Sequence, residues 1–156
     1  MKVIFILLLL GCIACSYALI NQCSVGRKLS NLDNDVKLSG CRKTYCRLKK
    51  KAITSIQYKF TTEKDIKSLR NAVSAQIAGI PFPFIGFDGT DACPSIYEAD
   101  GETKAVCPLK AGKEYIYKNN IDVLEIYPTI KVVVRWALES NQGQLMCFEV
   151  PARIVN

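Results

Sequence analysis

Histidine is missing altogether from this 156-residue chain, and tryptophan occurs once, as Trp136. Without an imidazole, Ser-His-Asp and Cys-His nucleophile systems have no base, and HExxH-type metal sites cannot form. Paired carboxylates could still hydrolyse glycosides, but the 14 Asp and Glu residues sit mostly in loops and form no recognisable motif. The expectation is a protein that is not an enzyme and holds no metal or cofactor. Also missing is any apolar run of the about 18 residues that a membrane-spanning helix needs. There are no internal repeats, long linkers or low-complexity stretches, so one domain is expected. Nor is there an Asn-x-Ser/Thr acceptor for a glycan; Asn21-Gln22-Cys23 is at best a rare variant.

What the chain does have begins with a leader. Lys2 precedes an apolar run from Val3 to Leu10, and Ser16-Tyr17-Ala18 ends it with small residues before a cleavage point. Residues 1–18 therefore read as a secretory signal peptide. A rival reading takes Leu9-Leu10-Gly11-Cys12 as a bacterial lipid-attachment box. Cleavage after Ala18 leaves residues 19–156 and six cysteines: Cys23, Cys41, Cys46, Cys93, Cys107 and Cys147. An even count behind a signal peptide implies three disulfides in an oxidising compartment, although spacing alone permits 15 connectivities. Cys41 and Cys46 make a natural local pair. Losing Lys2 lowers the net charge from +7 to +6. Six cations and no acid lie between Arg42 and Lys51. That run suits an anionic membrane or acidic partner, or equally a solvated loop and a lysine-guarded sheet edge. An exported chain without a matching motif is not expected to bind nucleic acid.

Alternation of apolar and polar residues, the signature of a half-buried strand, recurs along the chain. Ala52 to Thr62 carries Ile56, Tyr58 and Phe60 on one face, and Asn71 to Ile80 carries Val73, Ala75 and Ile77. Lys113 to Lys118 is a shorter strand, Asp33 to Leu38 a weaker one, and Glu63 to Asn71 a loop. The clearest signal comes last. Ile130, Val132, Val134, Trp136 and Leu138 face one way, then Asn141-Gln142-Gly143 turns the chain, and Met146, Phe148 and Val150 share the next face. Pro81-Phe82-Pro83-Phe84 breaks the pattern, because proline cannot donate to a ladder; it reads as an extended loop or edge. Six or seven strands between turn-rich segments predict an all-β, antiparallel β-sandwich.

Several of these pieces fall in a familiar order: Gly79-Ile80-Pro81-Phe82-Pro83-Phe84, Asp88-Gly89, Cys93, Cys107-Pro108-Leu109, Tyr115, Tyr117, Tyr127-Pro128, Trp136, Cys147-Phe148 and Pro151 to Val155. From Cys23 to Val155 the chain resembles the ML lipid-recognition domain, most closely the secreted Niemann–Pick type C protein two subfamily. The resemblance implies an immunoglobulin-like sandwich of about seven strands with an apolar cavity between its sheets, over residues 19–156. It also implies the pairs Cys23–Cys147, Cys41–Cys46 and Cys93–Cys107. Phe84, Val123 and Tyr127 fall where the family has its sterol portal. Ile56, Tyr58, Val73, Ile77, Val132, Val134, Trp136 and Phe148 fall on inward strand positions that resemble pocket lining. Ordinary core is the competing reading for each, since any sandwich needs such residues.

The implied function is a monomeric, secreted, extracellular carrier of a sterol, which touches membranes transiently and hands its cargo to a membrane or a transmembrane acceptor. Lysosomal delivery has no glycan site to support it. Alternatives are a carrier of fatty acids or semiochemicals, an immune module recognising microbial lipid through a receptor, and a closed sandwich acting through its surface. One departure from the resemblance is the stretch between Cys93 and Cys107, longer than in the vertebrate sterol carriers. It holds Glu98, Asp100 and Glu102 against Lys104, an acidic loop expected to affect docking near the portal.

Overall fold

The computed structural model describes residues 19–156; the expected signal peptide, residues 1–18, lies outside the described residues. Among the described residues ten strands form two sheets. They are β1 (Asn21–Gln22), β2 (Val36–Leu38), β3 (Cys46–Lys49), β4 (Ile53–Thr61), β5 (Leu69–Ile77), β6 (Ile80–Pro83), β7 (Ile96–Glu98), β8 (Glu114–Asp122), β9 (Lys131–Ser140) and β10 (Gly143–Val155). One sheet runs β1-β10-β9-β5-β6, with β3 also on β10; the other runs β2-β4-β8-β7. Alternation alone finds about seven strands because β1, β2, β3, β6 and β7 have only two to four residues each. Pairing is antiparallel except where β3 runs parallel to β10, from Cys46 beside Ala152 to Lys49 beside Val155.

The closing hairpin is the spine of the larger sheet. Ser140 pairs with Gly143 across the two-residue loop Asn141-Gln142, and the ladder continues to Lys131 beside Arg153. Gly143 has φ +102°, a backbone setting that costs a residue with a Cβ and that glycine adopts freely. Val132, Val134, Trp136 and Leu138 are buried on the inner face, as are Met146, Phe148 and Val150 of β10. Ile130, expected with them, is half-buried at the sheet's end.

Three expectations need correction, and the proline segment takes the edge position expected for it. The early segment is not a strand from Asp33. Leu32–Asp35 forms one helical turn, α1, with the Asn34 and Asp35 amides both donating to the Asn31 carbonyl, and the strand starts at Val36. Asp and Asn are poor strand formers, which favours the turn. β5 runs from Leu69 to Ile77 instead of Asn71 to Ile80. Ala78 (φ +51°) and Gly79 (φ +80°) turn it back, so that Ile77 pairs with Ile80; two consecutive positive φ values suit the right-handed twist of a hairpin. The proline segment is an edge strand, with Phe82 paired to Ala75 inside the sheet. The Phe84 amide donates to the Val73 carbonyl at 3.0 Å, so by alternation Pro81 and Pro83 take positions whose N–H would point away from β5. Lastly, β8 extends to Asp122, because the whole of β4 pairs with it, from Ile53 beside Asp122 to Thr61 beside Glu114. Cross-strand partners carry Asn119 and Asn120 into the strand despite their poor propensity.

Among the described residues three disulfides form, Cys23–Cys147, Cys41–Cys46 and Cys93–Cys107. Cys147 alternates with the inward Met146 and Phe148, and packs with Cys23, Ala137 and Ala72 in a cluster apart from the main core. Ala137 and Ala72 lie in one row across β9 and β5, and their small side chains leave room for the bridge. This bond therefore sits on the outer face of one sheet. It fastens the N-terminus to β10 and does not clamp the two sheets together. None of the three bridges joins a strand of one sheet to a strand of the other. Cys41–Cys46 closes the crossover from β2 to β3, where the chain passes from one sheet to the other, and across the interior the layers meet through side-chain packing.

Candidate binding cavity

An apolar cavity of about 30 Å³ lies between the sheets. Phe84, Val123, Val134 and Trp136, all singled out from the sequence, line it. So do Leu48, Ile121, Val150 and Ala152, which were not among the expected lining residues. Their signals were present but faint. Val150 and Ala152 continue the inward alternation of β10, and Ile121 closes β8 beyond the point where its pattern fades. Leu48 is buried between exposed Arg47 and Lys49 in the basic run, whose charge masks it. The Cys41–Cys46 bridge also borders the space.

Phe84 and Tyr127 meet edge to face, with ring centroids 5.7 Å apart at 80°. Tyr127 Oη accepts a hydrogen bond from the Ile85 amide at 3.0 Å, which pins the segment after Phe84. Val123 is held from both sides: its amide donates to the Ala52 carbonyl (3.0 Å) and its carbonyl accepts from the Lys51 amide (2.8 Å). Three distant stretches thus converge where the resemblance puts the portal. Ile85 and Ile126, one bonded to Tyr127 and one preceding it, are large and exposed. The basic run ends beside them. Lys51 pairs with Glu125 at 2.8 Å, and the Lys50 amide bonds to the Val155 carbonyl at the end of β10.

The remaining candidates lie off this cavity. Ile56, Tyr58, Val73, Val132 and Phe148 are buried in the continuous core, and Ile77 is half-buried against it. None of them is among the residues lining this cavity. Tyr58 stacks on Phe60 at 5.7 Å. A row of polar groups crosses this core. Asn119 Nδ2 donates to Tyr117 Oη (3.1 Å), Tyr117 Oη to Asn71 Oδ1 (2.6 Å), Asn71 Nδ2 to Thr90 Oγ1 (2.9 Å), and Thr90 Oγ1 to the Phe87 carbonyl (2.6 Å).

Burial, and secondarily the Asp35 carboxylate, pushes the Tyr58 phenol up to about 12, with Arg27 opposing. Burial raises Tyr117 as well, offset in part by Asn119 and the Trp136 indole. An unfolded tyrosine ionises near 10. Above that value the unfolded chain releases phenol protons that the folded chain retains, so stability is full below pH ~10 and falls as pH climbs toward 12. The expected slope approaches ~1.4 kcal/mol per pH unit for each tyrosine. Urea unfolding at about pH 9, 10 and 11 should show this loss, and Tyr58→Phe should flatten it. An unchanged slope in that variant would contradict the assignment.

A wider concavity, about 670 Å³, lies elsewhere, on the outer face of the four-stranded sheet among Lys37, Gln57, Lys118, Ser55 and Asn120. It is wide and polar and unsuited to an apolar guest. Beside it the acidic stretch between Cys93 and Cys107 is folded, not free: β7 pairs with β8, Tyr97 bridges to Lys104, and Lys118 Nζ donates to the Gly101 carbonyl at 2.6 Å. Bonds from the Thr103 hydroxyl and from the Glu102 and Thr103 amides hold the Asp100 carboxyl below the usual carboxylate range. Among the described residues no group of three or more His, Cys, Asp or Glu is placed to hold a metal ion, and no helix is long and apolar enough to cross a membrane.

The family model for the ML domain matches residues 19–154. The chain is 32% identical over 109 residues to the ecdysteroid-regulated 16 kDa protein of Manduca sexta, covering 70% of each. It is 31% identical over 122 residues to NPC intracellular cholesterol transporter 2 of Bos taurus, covering 77% of this chain and 75% of that one. Among solved structures, a Niemann-Pick type C2 protein from the Japanese carpenter ant aligns with a TM-score of 0.65 at 22% identity, over 78% of this chain and 90% of that one.

Proposed function

This chain belongs to the ML domain family, and from that premise we propose that it is a secreted, non-enzymatic lipid carrier that takes a sterol between its sheets. The observation that carries the reading is the apolar cavity lined by Phe84, whose ring meets Tyr127 edge to face, in a sandwich whose long strands no disulfide joins across the two sheets. Similarity to a protein named a cholesterol transporter favours a sterol over other lipids.

Ligand pockets occupy about 300–1,000 Å³, far above 30 Å³, so uptake requires the sheets to part. The driving force is transfer of the lipid from water, about 25 cal/mol for each Å² of apolar surface buried. Val123, Phe84 and Tyr127 form the entrance, with Tyr127 as its latch. Exposed Ile85 and Ile126, beside Lys49, Lys50 and Lys51, give that end apolar and cationic groups suited to transient contact with an anionic membrane.

Tyr127→Phe tests the entrance. The substitution keeps the ring against Phe84 and deletes the oxygen that accepts from the Ile85 amide, an interaction of about 1 kcal/mol. Release of a fluorescent sterol to vesicles, followed by stopped flow, should quicken about fivefold. An unchanged release rate from a protein that still loads sterol would reject Tyr127 as the latch. Failure of the wild-type chain to load sterol at all would reject the carrier.

A further inference from the structure

Arg153 on β10 stands directly across from Lys131 on β9 and from Arg47 on β3. The parallel pairing of β3 with the end of β10 makes neighbours of cations far apart in the chain. The adjoining residues Val132, Ala152, Ile154 and Leu48 are buried in the core. Alternation therefore sends the three cations to the outer face, where all are exposed. Lys49 follows Arg47 on that face. The loop closed by Cys41–Cys46 adds exposed Arg42 and Lys43, and its Arg42 amide donates to the Tyr45 carbonyl at 2.9 Å. The Arg153 guanidinium lies 5.2 Å from the centre of the Tyr45 ring, a contact that orients it.

Like charges directly opposite on a ladder are destabilising. Farther along the same face cations have partners, Arg70 with Glu139 at 2.5 Å and Arg135 with Glu149 at 3.8 Å. Among the described residues, none of Arg42, Lys43, Arg47, Lys49, Lys131 and Arg153 forms an ion pair with a carboxylate. Protection of a sheet edge accounts for cations on β3, which is an edge strand, but β10 has a strand on either side of Arg153. The next row across the sheet is uncharged, with Gln76, Val133 and Pro151 side by side. Together with Tyr45, Lys131 and Arg153, this row borders a shallow depression of about 410 Å³ that no acid lines. Val133 is 37% exposed there.

We propose that this face binds a sulfated polysaccharide, with sulfate groups on the Lys131–Arg153–Arg47 row and a sugar ring over Val133 and Pro151. A row of fixed cations suits a linear polyanion, and a guanidinium fork engages two oxygens of an oxyanion at once. The uncharged row gives the apolar face of a sugar ring a surface, and Gln76 offers its hydroxyls both a donor and an acceptor. A membrane fits less well. Exposed Ile85 and Ile126, the groups suited to entering one, stand at the Phe84–Tyr127 end, whereas this depression is set into the face of a sheet. From the carrier reading the proposal takes only that the chain is exported to where sulfated polysaccharides occur; the lipid cargo plays no part.

Calorimetric titration with heparin at several salt concentrations tests the site. One variant combines Arg47→Ala, Lys131→Ala and Arg153→Ala. Its control combines Lys28→Ala, Lys64→Ala and Lys67→Ala, exposed lysines that carry the same charge; the Lys67 amide bonds to Asn141 at the turn end of the β9–β10 hairpin. Removing the row should weaken heparin binding at least about tenfold and flatten its salt dependence by about two to three released ions. The control should shift affinity less than about twofold. Equal losses in the two variants would mean attraction by net charge alone and would overturn the site. So would a row variant that keeps heparin and loses only phosphatidylserine vesicles, which assigns the face to a membrane. Recovery of the wild-type chain from the medium of expressing cells checks export by itself, and its retention inside them overturns the choice of partner.

Discussion

With Val134 replaced by phenylalanine, the chain is expected to fold and to lose sterol affinity about a hundredfold, ~2.7 kcal/mol. Val134 lies in the ladder between Ala75 and Val150 and borders the cavity. A phenyl ring in place of the isopropyl group fills a cavity that is already only about 30 Å³, and it stands where a guest would have to lie. Overpacking a core costs about 1–3 kcal/mol, against about 5–15 kcal/mol of stability for a typical domain, so the fold survives. Circular dichroism establishes folding, and titration with a fluorescent sterol measures affinity. A folded Val134→Phe chain that binds as tightly as wild type would place the lipid elsewhere.

Removing the Cys23–Cys147 bridge as a double alanine variant should have the largest effect on stability. The bridge closes a loop of 124 residues, worth about 5 kcal/mol in the chain-entropy model. Loss on that scale lowers the melting temperature by roughly 10–20 °C. The bond lies on the outer face with Ala72 and Ala137, away from the cavity lining. Sterol affinity at temperatures well below the new midpoint should therefore stay close to the wild-type value. Paired calorimetry and binding separate the two effects. If affinity disappears in a chain that is still folded, the bridge shapes the cavity and its placement as a mere fastening is wrong.

How much of this was legible in the sequence depended on how far local pattern and tertiary pairing agreed. The strands Ile53–Thr61 and Lys131–Ser140 bury one face each, so their period-two patterns are strong. The second half of β8 was hidden because Asn119 and Asn120 are held by β4 and by the bond to Tyr117, not by their own propensity. Leu32–Asp35 looked extended because nothing in four residues announces a single helical turn. Short strands such as β1 and β7 exist only through their partners.

At the site, the proposed entrance comes from resemblance alone, and of its three residues Phe84 and Val123 line the cavity while Tyr127 packs on Phe84. The lining was harder, since inward alternation marks core and cavity alike. Val73 and Val134 lie on the same face of neighbouring strands with the same alternation, yet only Val134 lines the cavity. That difference is set by what stands opposite, which periodicity does not record.

The central claim is that a sterol lies between the sheets, and Trp136 provides the most direct test of it. Excitation of this single tryptophan in the presence of dehydroergosterol should transfer energy to the sterol, saturating at about one sterol per chain, as one enclosed site requires. The transfer should vanish in a folded Val134→Phe chain. Absence of saturable transfer in the wild-type chain, or full transfer that persists in Val134→Phe, would contradict the account.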